Sequence, residues 1–383
     1  MKDPTLALNR PTSSQLRVAF LSWRDIKHPE AGGAEIFLEQ VSAGLAARGH
    51  RVTVVTARYP GSVAMEARDD RIFFRHGGRL GVYPSGFAHV LRRQRAYDVI
   101  VDIQNGVPFW SPLATRTPVL NLVHHVHREQ WSQVLGAKQS ALGWWLESKA
   151  SPRVYRKAEF LAVSQATRHE LIDLGIAPDR IRVVYSGVDP LPEPHVPVPR
   201  PPGPALVVLG RLVPHKRVEQ AIDTVAALRE EFPDIHLTVA GHGYWEPRLR
   251  AHAHAAGVSD CVRFAGVVSE QEKADILAAA DLHLLPSVKE GWGLVIIEAG
   301  LMGTPSVAYY SAGGTQESIV DGTTGVLVAD EAGFQNAVRD LLRDPARLAA
   351  MSSAARDFAQ QFSWDRSVVE VEAALLASAD LRR

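Results

Sequence analysis

Two glutamates, Glu290 and Glu298, bracket a glycine-rich turn inside the otherwise apolar run LHLLPSVKEGWGLVIIEAGLMG, residues 282–303. The run reads as a strand to Leu285, a turn-prone loop carrying Glu290-Gly291-Trp292-Gly293, and an apolar helix from about Leu294. Glycine at such a turn lets the backbone approach a ligand closely, and the unpaired amides that open a helix attract anions. A diphosphate seated on the amides near Gly293 and Leu294 would use that geometry. Glu298, about one turn into the helix, would then reach the neighbouring ribose hydroxyls, and Glu290 the sugar side. Glutamate pairs are ordinarily solvated surface charges. This pair is set apart because it brackets a helix start in an apolar segment.

A second segment, LVVLGRLVPHKR from Leu206, reads as a strand ending at Gly210 with Arg211 and Lys216 in the following loop. Basic residues in a loop are common. Beside the first segment, however, they put two cations at the carboxyl edge of one sheet, where a departing nucleoside diphosphate needs its charge neutralised. A third segment, PEAGGAEIFLEQ at residues 29–40, sets Gly32 and Gly33 directly before a helix, a second anion-friendly terminus.

Other chemistries lack their motifs. The nearest match to a dinucleotide fingerprint, Gly241-His242-Gly243, has no third glycine, and no G-x-x-x-x-G-K-[ST] loop occurs. His124-His125-Val126-His127 invites a zinc reading, but on a strand His125 and His127 share one face, His124 takes the other, and spacing supplies no third ligand. No Asp-x-Asp metal anchor occurs either. Charge neutralisation is therefore expected from Arg211, Lys216 and helix amides, with no metal or other cofactor.

These residues need a scaffold. The chain has 383 residues, 46% hydrophobic and 22% charged, enough for two or three domains. One cysteine, Cys261, excludes an internal disulfide and fits a reducing compartment. No apolar run approaches the roughly 20 residues of a membrane span, and residues 1–15 read as a loose polar tail. A cytoplasmic protein is expected. Short β-branched runs at 17–23, 52–56, 98–103, 119–123, 160–163 and 181–184 alternate with helical patterns such as 34–48, which Gly49 closes. That alternation predicts a parallel sheet with helices on both faces. Between residues 189 and 204 half the positions are proline, which reads as an extended linker. Alternation then restarts with strands at 205–209, 236–240, 262–265, 282–285 and 306–308. Two doubly wound domains of this kind would face a ligand-binding cleft.

The motifs Gly32-Gly33-Ala34-Glu35, Ser186-Gly187-Val188-Asp189, Gly210-Arg211-Leu212 with Lys216, Gly241-His242-Gly243 and Glu290/Glu298 run in this order over nearly the whole chain. Together they resemble the family 4 retaining glycosyltransferases of the GT-B fold. The resemblance implies an α/β architecture of two Rossmann-like domains facing a cleft. Residues 1–188 would form an acceptor-binding domain, 189–204 the linker and 205–361 a nucleotide-sugar-binding domain. A helix over 362–383, opened by Phe362-Ser363-Trp364, would cross back to the first domain. The resemblance also assigns roles: Glu298 to the donor ribose, Glu290 to the donor sugar, and Arg211 and Lys216 to the diphosphate. His124, ending the run Pro118-Val-Leu-Asn-Leu-Val-His124, falls near the reacting centre. The implied catalytic set is thus His124, Glu290, Arg211 and Lys216. The donor set is Gly32, Gly33, Gly210, Arg211, Lys216, Glu290, Gly293, Leu294 and Glu298. The implied reaction is metal-independent, retaining transfer of a hexose-type sugar from a UDP- or GDP-linked donor to a hydroxyl. Alternatives on the same fold are a nucleotide-sugar-binding protein, an epimerase or a sugar-phosphate synthase.

Acceptor contacts are expected from loops 104–110 and 127–131, through Asn105, His127, Arg128 and Trp131, whose aromatic and polar groups suit a sugar ring or flat aglycone. The acceptor would be a small molecule or a lipid, with no nucleic-acid partner. Residues 1–188 hold 25 Lys and Arg against 16 Asp and Glu, and the remainder 17 against 26. The first half is therefore expected to meet something anionic, a phosphorylated acceptor or a membrane surface such as the inner face of the plasma membrane, the latter through Arg68, Arg71, Arg75, Arg79, Arg92, Arg93 and Arg95. Arg153, Arg156 and Lys157, near Trp144 and Trp145, would join them.

Overall fold

A computed structural model describes residues 15–128, 131, 136–195 and 202–380. The tail before Gln15, loop residues Glu129 and Gln130, and residues 196–201 of the proline-rich run lie outside the described residues. The chain forms two compact units, one comprising the chain to Tyr185 and again from Trp364, the other Ser186–Ser363.

The first unit carries strands β1 (Arg17–Leu21), β2 (Arg51–Thr56), β3 (Met65–Arg68), β4 (Arg71–Arg75), β5 (Val99–Gln104), β6 (Val119–Val123), β7 (Glu159–Ala162) and β8 (Ile181–Val183). Their order in the sheet is β3-β4-β2-β1-β5-β6-β7-β8. Every residue of β5 and β6 is buried, as strands covered on both faces require. The helices are α1 (Gly33–Ala47), α2 (Val82–Arg93), α3 (Ala137–Trp145, continued by a π turn over Leu146–Ala150 and a last turn over Ser151–Val154) and α4 (Gln165–Asp173). Helix α1 ends where Gly49 takes a left-handed φ of 92°, a conformation glycine adopts without a Cβ penalty. The sheet is not wholly parallel as expected: β3 and β4 pair antiparallel. Their turn residues Asp69 and Asp70 both have positive φ, the backbone a tight hairpin demands. Arginines in both strands hide this hairpin from a hydrophobicity reading.

The second unit contains β9 (Ala205–Leu209), β10 (His236–Ala240), β11 (Val262–Gly266), β12 (Leu282–Leu285), β13 (Ser306–Tyr309) and β14 (Gly325–Val328), in the order β11-β10-β9-β12-β13-β14. All neighbours are parallel. Helices α5 (Val218–Leu228), α6 (Glu246–Ala255), α7 (Glu270–Ala279), α8 (Leu294–Leu301), α9 (Thr315–Ser318), α10 (Glu331–Arg343) and α11 (Pro345–Ala359) cover it. Its core gathers Val218, Ile222 and Val225 of α5 with Leu237, Val239, Leu282 and Leu284 of the strands.

The last helix, α12 (Trp364–Asp380), belongs to the first unit. It lies so close to α1 that a Cβ on Gly44 would stand 2.4 Å from Val368 Cγ2, and Arg48 and His50 pair with Glu372 at 2.7 and 2.8 Å.

A doubly wound sheet opens a crevice where its strand order reverses, because the crossovers on either side leave in opposite directions. In the second unit that point lies between β9 and β12, and in the first between β1 and β5. The loops at the carboxyl ends of these four strands carry most of the residues singled out in the sequence.

A candidate donor site and a candidate acceptor platform

The loops after β9 and β12 meet. Lys216, in a short 3-10 turn (Pro214–Lys216), donates from Nζ to Glu290 Oε1 at 2.5 Å. Both side chains are largely buried, 17% and 11% exposed. Burial pushes the Glu290 carboxyl up, but Lys216 outweighs it and leaves it below the usual range. The Glu290 loop is pinned twice more. Val288 N donates to His215 O at 2.9 Å and Glu290 N to Ala312 O at 2.7 Å. The second contact requires Gly314 in the loop after β13, since a Cβ there would fall 2.3 Å from Gly291 O.

Gly293 opens α8 with a φ of 87°, and no side chain caps the helix. The amides of Leu294 and Val295 have no acceptor among the described residues, so the helix start is free to receive an anion. Arg211 is exposed and makes no ion pair among the described residues. Its loop is held by a glycine contact: Gly241, with a φ of 136°, sits where a Cβ would come within 1.8 Å of Gly210 O. Glu298 binds Lys273 Nζ of α7 at 2.7 Å, and Lys273 also holds Glu270 at 2.8 Å. Burial keeps the Glu298 carboxyl above its usual range despite Lys273. The structure thus gathers two cations, a free helix start and two largely buried carboxylates at one sheet edge, a layout suited to binding a dianionic group flanked by hydroxyls. Sequence reading missed Lys273, His215 and Gly314, whose importance comes from partners far away in the chain.

In the first unit, Gly32 and Gly33 do open α1, but the helix supplies its own anion. Glu35 accepts from Gly32 N at 2.7 Å, and the buried Arg24 compensates it at 3.0 Å. The amides of Gly33 and Ala34 remain without acceptors among the described residues. His124 follows β6, 8% exposed, with its ring edge-on to Phe37 of α1 at 5.5 Å. Burial, aided by His127, lowers it to about 4, so it is neutral near pH 7. Its Nε2 is buried and unpartnered.

His127 and Trp131 converge on Glu147, a fully buried carboxylate in the π turn of α3. Glu147 accepts from His127 N at 3.1 Å, from His127 Nδ1 at 3.2 Å and from Trp131 Nε1 at 2.8 Å. The Trp131 ring packs on Gly106 and Gly143, where Cβ atoms would stand 2.6 and 2.7 Å away. Trp131 therefore locks the Asn105-Gly106 turn to α3 rather than offering an open stacking face. Arg128 lies over Trp144 at 5.7 Å. Asn105 Nδ2 is buried without a partner. The rings of His125 and His127 lie 4.2 Å apart. Among the described residues, no three His, Cys, Asp or Glu side chains converge as a metal ion would require.

The expected basic surface needs correcting. Arg71 and Arg75 are fully buried, Arg75 against Asp25 at 2.7 Å and Arg71 against Glu39 at 2.8 Å, and Arg68 also pairs with Glu39 at 2.8 Å. Buried arginines must be matched by carboxylates, which takes these three off any docking face. Arg79, Arg92 and Arg95 remain exposed, and a second exposed face carries Lys138, Leu142, Trp145, Lys149, Arg153 and Arg156, which recur every three or four residues along α3 and the turn after it. Among the described residues no helix is long and apolar enough to cross a membrane.

Residues 31–190 match the family model described as Glycosyltransferase Family 4, and residues 196–358 the model described as Glycosyl transferases group 1. The chain is 31% identical to a D-inositol 3-phosphate glycosyltransferase of Kineococcus radiotolerans, over 93% of this chain and 94% of that one. It is 29% identical to a GDP-mannose-dependent alpha-(1-6)-phosphatidylinositol monomannoside mannosyltransferase of Mycolicibacterium smegmatis, over 86% and 91%. Among solved structures, a sucrose-phosphate synthase from Thermosynechococcus elongatus matches at a TM-score of 0.79 with 21% identity, over 94% of this chain and 98% of that one. Anabaena HepE, solved with UDP and glucose, matches at 0.71 with 20% identity, over 94% and 99%.

Proposed function

We propose, given that the chain belongs to glycosyltransferase family 4, that it transfers a hexose-type sugar from a UDP- or GDP-linked donor to a hydroxyl acceptor, with retention and without a metal ion. One observation carries the reading: the Lys216–Glu290 pair stands at the β9/β12 reversal point with Arg211. The diphosphate takes Arg211, Lys216 and the free amides of α8, with Gly210 and Gly293 allowing the close approach. Glu298 takes the ribose and Glu290 the sugar. In the front-side course this implies, the departing diphosphate oxygen accepts the acceptor's proton while those cations hold its charge. His124, neutral and buried, orients a hydroxyl and is no nucleophile. Supporting the donor class, the mannosyltransferase relative is named as GDP-mannose-dependent and HepE was solved with UDP. Thermal shift against a panel of nucleotide-sugars tests the donor, because at equal concentration the tighter-binding ligand stabilises more. Proton NMR of the first-formed product tests retention: an α-linked donor gives an α-linked product, and a β-linked one refutes the reading.

On the acceptor side, Asn105, His127 and Arg128 provide the polar groups, and Glu147 with Trp131 holds them in place. A lipid acceptor at a cytoplasmic membrane face accords with the phosphatidylinositol derivative in the mannosyltransferase relative's name. The face of α3 bearing Trp145, Leu142 and four cations would dock there, each cation contributing about 1 kcal/mol at an anionic leaflet. Binding to anionic liposomes that falls with added salt and with Lys149→Glu/Arg153→Glu is the expected outcome. Indifference to anionic lipid at low salt points to a soluble acceptor.

A further inference from the structure

We propose that His215 is a third ligand of the donor diphosphate and takes up a proton as the nucleotide binds. The inference rests on the donor-site reading above and goes beyond it. His215 lies in the same 3-10 turn as Lys216, and its carbonyl accepts from Val288 N at 2.9 Å, which fixes the turn to the Glu290 loop. Its imidazole is partly exposed, and neither ring nitrogen has a partner among the described residues. The charged groups around it come from three elements: Lys216 on its own turn, Arg211 in the loop after β9, and Glu290 in the loop after β12. Burial lowers His215 to about 4, Lys216 and Arg211 adding to the effect and Glu290 opposing it. The ring is thus neutral near pH 7. A diphosphate brings several negative charges among the same groups, and an anion favours the protonated imidazole. The proton comes from the buffer, a new N–H forms, and a charge-assisted hydrogen bond to a phosphate oxygen results. By linkage the sign is fixed: a group whose affinity for protons rises on binding makes nucleotide affinity rise as pH falls through the bound-state value.

Titration calorimetry of the full chain with UDP, GDP, ADP and dTDP, in buffers of differing ionisation enthalpy, counts the protons. The free nucleotide's terminal phosphate itself titrates at roughly 6, so the difference between native and His215→Gln protein isolates the imidazole. At about pH 6.5 the native protein should take up close to one proton more than His215→Gln and bind about ten-fold more tightly, an advantage that shrinks above about pH 8. His215→Lys, with its charge permanent, should keep the affinity while losing the uptake, which a merely misfolded loop would not do. Equal proton counts in native and His215→Gln protein would overturn the proposal while leaving the donor site intact. If none of the four nucleotides binds, the donor-site reading itself fails, and this inference with it.

Discussion

Lys216→Ala should lower turnover about a hundred-fold, the scale of loss seen when one stabiliser of developing charge is removed from a preorganised site. In the proposed site Lys216 would face the diphosphate, and it is the counter-ion of Glu290 at 2.5 Å. Removing it leaves a largely buried carboxylate alone, a destabilisation of up to about 3 kcal/mol. Glu290 is held below its usual range by Lys216, so its ionised form supports the fold above the ordinary carboxylate value and loses that support as pH falls through the depressed one. In the variant, the unpaired carboxyl rises instead, so the destabilisation is fully present above the raised value and is relieved as pH falls through it. Lys216→Ala/Glu290→Gln should recover the stability and not the turnover, which separates the two roles. Native activity should survive EDTA within a small factor. Complete loss in EDTA, restored by Mn²⁺ or Mg²⁺, would refute charge neutralisation by Arg211 and Lys216.

The two glutamates should respond in opposite ways to an amide. Glu290→Gln frees Lys216 from its carboxylate, so binding of the bare nucleoside diphosphate stays level or tightens. On the proposed assignment of Glu290 to the sugar, transfer should fall by about a hundred-fold. On the proposed assignment of Glu298 to the ribose, Glu298→Gln removes a carboxylate acceptor from its hydroxyls, and bare nucleotide should bind roughly ten-fold more weakly. Lys273, bonded to Glu298 at 2.7 Å and to Glu270 at 2.8 Å, keeps its second partner, so the fold should tolerate this change. Calorimetry with the bare nucleotide decides the matter: equal losses in the two variants would refute the assignment of one carboxylate to sugar and the other to ribose.

Much of the scaffold was legible in the chain because it is local. β-branched runs at 119–123, 205–209, 236–240 and 282–285 became strands with the same bounds. The apolar run behind Gly293 became α8, because burial of a strand or helix shows itself within a few residues as periodicity. The spacing of Glu290 and Glu298 likewise needs only one loop and one turn of helix. What periodicity does not carry is which charge meets which. Arg71 and Arg75 read as surface charge in the sequence and are buried, because β4 lies between β3 and β2 and its arginines meet Glu39, Asp25 and Glu66. Lys216 and Glu290 lie 74 residues apart, and only the adjacency of β9 and β12 brings them together. Glu147, one acidic residue among many in the sequence, becomes the anchor of His127 and Trp131 through a π turn whose local pattern does not announce it. The chain's local pattern sets where strands and helices begin, since backbone propensity and one-sided burial act over a few residues. The order of strands across each sheet, a long-range outcome of packing, decides which buried charges are partners, and with that the chemistry open to the site.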